Sequence, residues 1–201
     1  MPRPSTVLAS LLVLVSAACA PSEPASEPTT SARTERSTGE ETPAPASPSD
    51  PTPTASGDPR HAAILDAHNA RRAEHCAPPL AWSDDLARVA QGWADELASR
   101  GCAFEHNSTP YGENLAGGTA GTLSPEDVVA MWYREVEGYR FRTGRFSMDT
   151  GHFTQLVWRG TRSVGCGTTT CNGLDVWVCN YDPPGNVQGA FQENVLPTTC
   201  R

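Results

Sequence analysis

Five histidines, seven cysteines and 23 acidic residues are the groups in this 201-residue chain able to do chemistry. Their spacing excludes several reactions. No Gly-x-Ser-x-Gly elbow and no His-Glu-x-x-His pair is present, so neither of those hydrolase types can be read here. His106 and His152 lie too far apart in sequence for their spacing alone to mark a metal site. The cysteines are more telling, because seven in so short a chain point to an oxidising compartment. Six of them (Cys76, Cys102, Cys166, Cys171, Cys179, Cys200) are enough for three bridges, and Cys19 stands apart.

Composition divides the chain into three parts. Residues 1–19 read as a signal peptide, since the apolar run 7–18 is too short to span a bilayer. Two processing routes are open: cleavage after Ala18 or Ala20, or a degenerate lipobox, Ser16-Ala17-Ala18-Cys19, that makes Cys19 the lipidated N-terminus. The odd cysteine and the polar spacer behind it favour lipidation. Residues 20–57 are almost all Pro, Ser, Thr, Glu, Ala and Gly and cannot bury enough apolar surface to order themselves. They read as a spacer. Residues 58–201 are then one domain of ordinary size.

The formal charge is −8, and no basic face is available for nucleic acid. All fifteen basic residues are Arg, which reads as a GC-rich coding bias and a bacterial source. In that setting the sequon Asn107-Ser108-Thr109 has no consequence.

Helical signals come first in the domain. Asp58-Pro59 opens a helix over 61–75. Ser83 caps a second, with Leu86, Val89, Ala90, Trp93 and Leu97 at helical period and Gly101 as its stop. A third begins at Ser124, buries Val128, Val129, Met131, Trp132 and Val136, and ends at Gly138. Residues 151–158 make a helical turn leading into a strand. Strands over 163–170 and 175–181 flank Asn172-Gly173, a hairpin signal. Helices followed by a hairpin and a central strand predict an α+β layered fold.

Four motifs carry a resemblance to a known family. Residues 151–161, Gly-His-Phe-Thr-Gln-Leu-Val-Trp-Arg-Gly-Thr, resemble the first signature of the CAP superfamily, which groups cysteine-rich secretory proteins, insect venom antigens and plant pathogenesis-related proteins. Residues 176–187, Val-Trp-Val-Cys-Asn-Tyr-Asp-Pro-Pro-Gly-Asn-Val, are similar to its second signature. His68-Asn69-Ala70-Arg71-Arg72 and Gly112-Glu113-Asn114-Leu115 match two shorter motifs. The resemblance covers residues 60–197 and implies a three-layer α-β-α sandwich closed by disulfides.

It also implies a cavity lined by His106, Glu113, Glu135 and His152. Two neutral imidazoles, His106 and His152, could hold zinc or another divalent cation there, with the carboxylates beside them. His68 reads as structural, and His61 and His75 as surface residues. The loop from Tyr139 through Phe141 to Phe146 is similar to an aromatic loop associated with sterol export in fungal relatives. Arg140, Arg142 and Arg145 between the rings would suit an anionic or hydroxylated amphiphile. The alternative is that Tyr139 and Phe146 simply anchor the loop on the core.

Fifteen pairings are open to six cysteines. The expected set is Cys171–Cys179 across the hairpin, Cys102–Cys166, and Cys76–Cys200 joining the first helix to the C-terminus. Three functions are then in competition. The first is an exported, non-enzymatic binding module, monomeric, that captures a small apolar ligand such as a sterol or fatty acid at the cell envelope. The second is a domain that recognises a protein or an envelope component, its cavity inert. The third is a metal-dependent hydrolase using Glu113 or Glu135 as base.

Overall fold

The computed structural model describes residues 57–199. The expected export segment with Cys19, all but the last residue of the expected spacer, and Cys200 lie outside them. Helix α1 spans Pro59–Glu74 and starts as its sequence dictates: the Asp58 side chain accepts from Arg60 N and Pro59 stands in the first turn. Pairing with the Arg60 guanidinium pulls the Asp58 carboxyl down to about 2. Strand β1 (Ala81–Trp82) follows, then α2 (Asp84–Ser99), capped by Ser83 accepting from Leu86 N. Strand β2 (Gly112–Thr119) leads to α3 (Pro125–Tyr133), which opens on a reciprocal capping box between Ser124 and Asp127. Two 3-10 turns, Arg134–Gly138 and Met148–Thr150, precede α4 (Gly151–Leu156). Strands β3 (Ser163–Cys171) and β4 (Leu174–Asp182) form the hairpin, and a short α5 (Phe191–Asn194) closes the described chain.

The fold is the expected α+β sandwich, with one four-stranded sheet in the order β1-β3-β4-β2. β1 is parallel to β3, and the other pairings are antiparallel. The hairpin itself occupies the centre, so the expected central strand is corrected. The additional strand, β2, lies at the edge. Its sequence, Gly-Glu-Asn-Leu-Ala-Gly-Gly-Thr, has almost no β-formers, and pairing with β4 along its whole length makes it a strand.

Alternation along the strands gives the sheet two apolar faces. On one, Ala90, Ala94 and Leu97 of α2 pack on Leu115, Val176 and Val178. On the other, Ile64 and Leu65 of α1, Val128, Val129 and Trp132 of α3, and Phe153 and Leu156 of α4 cover Ala116, Val164, Trp177 and Tyr181. Helix α2 sits so close to β3 that a Cβ at Gly165 or Gly167 would collide with the backbone of Ala87 or Gln91. β1 is only two residues long and leaves most of that edge of β3 open. The Gln91 side chain closes part of it, donating to Thr168 O and accepting from Thr168 N, both at 3.0 Å.

The disulfides differ from expectation. Register puts Cys166 directly opposite Cys179, with Cα atoms 4.1 Å apart, and these two are bonded. Cys171 instead lies opposite Leu174 beside the turn, too far along the ladder to reach Cys179. It bonds Cys102 just past the end of α2, tying that helix to the hairpin tip. A cross-link over 69 residues contributes about 4 kcal/mol by restricting the unfolded chain. Cys76 is disulfide-bonded, and the partner expected for it, Cys200, lies outside the described residues.

Two buried polar groups lock α1 to its surroundings. Arg72 is fully buried and donates to four carbonyls, those of Pro78, Leu156, Trp158 and Thr161, at 2.8–3.0 Å. Burial pulls its pKa down to about 10. His75, expected at the surface, is fully buried too: its Nδ1 faces Leu196 O at 2.6 Å and its Nε2 faces Tyr133 OH at 3.2 Å. Its place at the C-terminal end of α1, under the returning chain, explains the difference. His61 is half-buried and stacks on Trp82 at 4.3 Å.

Candidate functional site

The 3-10 turn Met148–Thr150 delivers the chain into α4 with His152 in its first turn. Three donors there converge on Glu135, which comes from the turn after α3. The backbone N–H groups of His152 and Phe153 donate to Oε2 at 2.9 and 3.1 Å, and His152 Nδ1 lies 2.6 Å from Oε1. One carboxylate thus caps the orphan amides of a helix start and fixes the imidazole.

A second pair repeats the arrangement. Glu113, near the start of β2, takes His106 Nδ1 at 2.7 Å and Asn107 N at 3.0 Å, both on Oε1. Only 6% of the Glu113 side chain is exposed, against 59% for His106. The buried carboxylate holds the exposed ring. This hydrogen bond, before any charge effect, raises the His106 pKa above the usual histidine value. In both pairs the carboxylate engages Nδ1, which assigns the proton to Nδ1 in the neutral ring and leaves Nε2 as the lone-pair donor.

His106, Glu113 and His152 line one open pocket of about 100 Å³, together with Asn114, Phe146, Met148, Gly151 and Asn186. Glu135 stands behind His152. Asn114 and Asn186 were not singled out from the sequence, although Asn114 lies inside the Gly-Glu-Asn-Leu motif. Asn114 Nδ2 donates to His152 O at 3.1 Å and to Tyr181 OH at 3.3 Å. Tyr181 OH in turn meets His68 Nε2 at 2.8 Å, and His68 Nδ1 lies 2.6 Å from Ile64 O. A polar thread therefore runs from the pocket wall into the core. Burial pushes His68 down to about 4, so the ring is neutral and structural, as its position on the apolar helix face implies. Asn186 ties the wall from the other side, donating to Gly151 O at 3.0 Å and accepting from Thr154 Oγ1 at 2.5 Å.

The aromatic loop is divided between two roles. Tyr139 is buried, and Phe141 packs on the core, stacking on His75 at 5.9 Å and meeting Tyr139 edge-on at 5.0 Å. Tyr139 anchors the loop in the core, and Phe141 packs against it while staying half-buried. Phe146 is different: it is 38% exposed, lies 6.0 Å from Phe191, and forms the pocket wall beside Met148, which is 76% exposed. Arg140, Arg142 and Arg145 are all exposed, and none takes part in an ion pair among the described residues.

Among the described residues no three or more His, Cys, Asp or Glu side chains are grouped so as to hold a metal ion. The donors on hand are two imidazoles lining one pocket, each ring held at Nδ1 by a carboxylate, as ligating histidines commonly are. That set fits a divalent cation completed by water. It does not fit a closed four-ligand structural site.

Comparisons with known proteins bear on kinship and fold. The model of the cysteine-rich secretory protein family (CAP) matches residues 65–181. Protein PRY2 of Saccharomyces cerevisiae is 44% identical over 138 residues, covering 67% of this chain and 40% of its own length. Pathogenesis-related protein 1C of Nicotiana tabacum is 43% identical over 128 residues, covering 62% of this chain and 76% of its own. The chain thus spans less than half of the yeast relative. Both relatives are eukaryotic and lend no support to a bacterial source. Among solved structures, Schistosoma mansoni venom allergen-like protein 4 superposes with a TM-score of 0.56 at 25% identity, over 71% of this chain and 99% of that one.

Proposed function

We propose, from the premise that this chain belongs to the cysteine-rich secretory protein (CAP) family, that it is an exported binding module without a catalytic centre, capturing a small amphiphile. The amphiphile is a sterol or fatty acid. Its polar end enters the His/Glu pocket and its apolar body lies along the rim. The observation that carries this reading is the exposure of Phe146 and Met148 in the wall that also holds His106 and His152. Solvent-facing apolar side chains around a polar pocket favour a ligand of mixed character. A pocket of about 100 Å³ has room for a headgroup only, since enclosed sites for whole small molecules run to about 300 Å³ or more.

His106 and His152 would hold a divalent cation through Nε2, and such a cation would supply positive charge for a carboxylate or hydroxyl headgroup. The chain's own residues orient the rings and shape the rim. Disulfides among the domain cysteines support export. Retention at the envelope through lipidated Cys19 is the finer part of the proposal, and mass spectrometry of the mature N-terminus tests it.

Native mass spectrometry of the protein from its own host, followed by calorimetric titration with palmitate and with a sterol, tests the central claim. Binding is expected to fall sharply in Phe146→Ser and Met148→Ser. Unchanged binding in both would sink it. The paired His–Glu groups also favour a second reading, metal-dependent hydrolysis. Turnover lost both with a chelator and in His152→Ala would establish that instead.

A further inference from the structure

Four buried side-chain atoms have no hydrogen-bond partner among the described residues. One, Tyr139 OH, belongs to the aromatic cluster. Of the other three, Glu113 Oε2 and Asn180 Oδ1 belong to neighbouring strands, and Thr109 Oγ1 to the loop that leads into β2. Glu113 on β2 and Asn180 on β4 are register partners, so both side chains stand on the α2-facing side of the sheet, with Cβ atoms about 5 Å apart. Thr109 lies in the segment between Asn107 and Gly112, and that segment is pinned to these same two residues. Asn107 N donates to Glu113 Oε1 at 3.0 Å, and Asn180 Nδ2 donates to Gly112 O at 3.4 Å.

A carboxylate oxygen and an amide oxygen are both acceptors and cannot satisfy one another. Left bare and buried, each is a destabilising group. We propose that the three oxygens enclose an internal water molecule, and that Asn180 acts through it as a positioning residue for the Glu113–His106 pair. The hydrogen-bond count closes: the water donates to Glu113 Oε2 and Asn180 Oδ1 and accepts from Thr109 Oγ1. Three bonds is the usual complement of a buried water. A hard cation is the poorer occupant, because one charged oxygen and two neutral ones fall short of the six or more that calcium takes. Glu113 would then be fixed at both oxygens. Its Oε1 holds His106 and Asn107, its Oε2 holds the water, and the exposed imidazole inherits the orientation of a carboxylate that cannot rotate.

This inference does not depend on what the pocket binds. Its test is a crystal structure at atomic resolution, combined with nuclear magnetic resonance of the imidazole Nδ1 protons in the full chain. The expected result is one water between Glu113 and Asn180, a His106 Nδ1 proton signal, and loss of that signal in Asn180→Leu. The corresponding His152 signal is expected to persist, because Glu135 holds that ring from another element; general destabilisation would affect both. Thr109→Val gives the same readout without touching the central strand, should the Asn180 variant fail to fold. Direct contact between Glu113 Oε2 and the Asn180 amide with no water between them would overturn the proposal. So would a metal ion at this position, or equal loss of the two histidine signals.

Discussion

Glu135 and His152 meet where α4 begins, and a single carboxylate serves as both helix cap and ring clamp. Removing it should therefore cost structure and site together. Glu135→Ala is expected to destabilise the fold by about 1–3 kcal/mol, since three donors lose their acceptor, and to free the His152 ring. Denaturant unfolding measures the first effect and histidine resonances the second. Glu135→Gln, which keeps an acceptor oxygen, should lose less.

The His106–Glu113 pair carries a pH dependence whose sign is fixed. The folded-state pKa of His106 is raised, chiefly by its hydrogen bond to Glu113. The stabilisation from this pair is then fully present below the unfolded histidine value and is lost as pH rises through the folded value. A resonance titration of His106 should show a midpoint above that of a free histidine. In Glu113→Gln the midpoint should fall back.

Arg72 predicts a large, purely structural effect. Its guanidinium satisfies four carbonyls, three of them buried, from two separate stretches of chain. Arg72→Met should cost at least about 3 kcal/mol, because several acceptors are left bare at once. Arg72→Lys should cost nearly as much, since an ammonium lacks the planar fork that reaches them. Chemical denaturation of both variants checks this.

The two roles within the aromatic loop separate by mutation. Phe141→Ser should lower the unfolding free energy by about 1–3 kcal/mol, as a half-buried ring packed on the core is removed. Phe146→Ser should leave stability within about 1 kcal/mol while weakening amphiphile binding. Equal effects of the two changes on binding would contradict the division.

Close packing of α2 on β3 makes Gly165 and Gly167 intolerant of any side chain. Gly167→Ala should cost about 1–3 kcal/mol through forced displacement of the helix. The melting temperature registers it directly.

Much of this was legible in the residues themselves. The caps Asp58, Ser83 and Ser124 start the helices as their types dictate, and Asn172-Gly173 turns the hairpin. Strand β2 was hidden because a run of small residues carries no local signal and is made a strand by its neighbour. The disulfides were misassigned for a related reason: which cysteine faces Cys179 is a question of register, and the two-residue turn answers it with Cys166. His106, Glu113, Glu135 and His152 could be singled out only by likeness to a family, since they come from four separated stretches. Their hydrogen-bond partners Asn107 and Asn114 needed coordinates.

Gln91 also guards an edge of the sheet. By presenting an amide to the flank of β3 where β1 stops short, it occupies Thr168, a rung that a sister molecule would otherwise grip. One glutamine, imitating a missing neighbour, takes the backbone groups that edge-to-edge pairing at that rung would need.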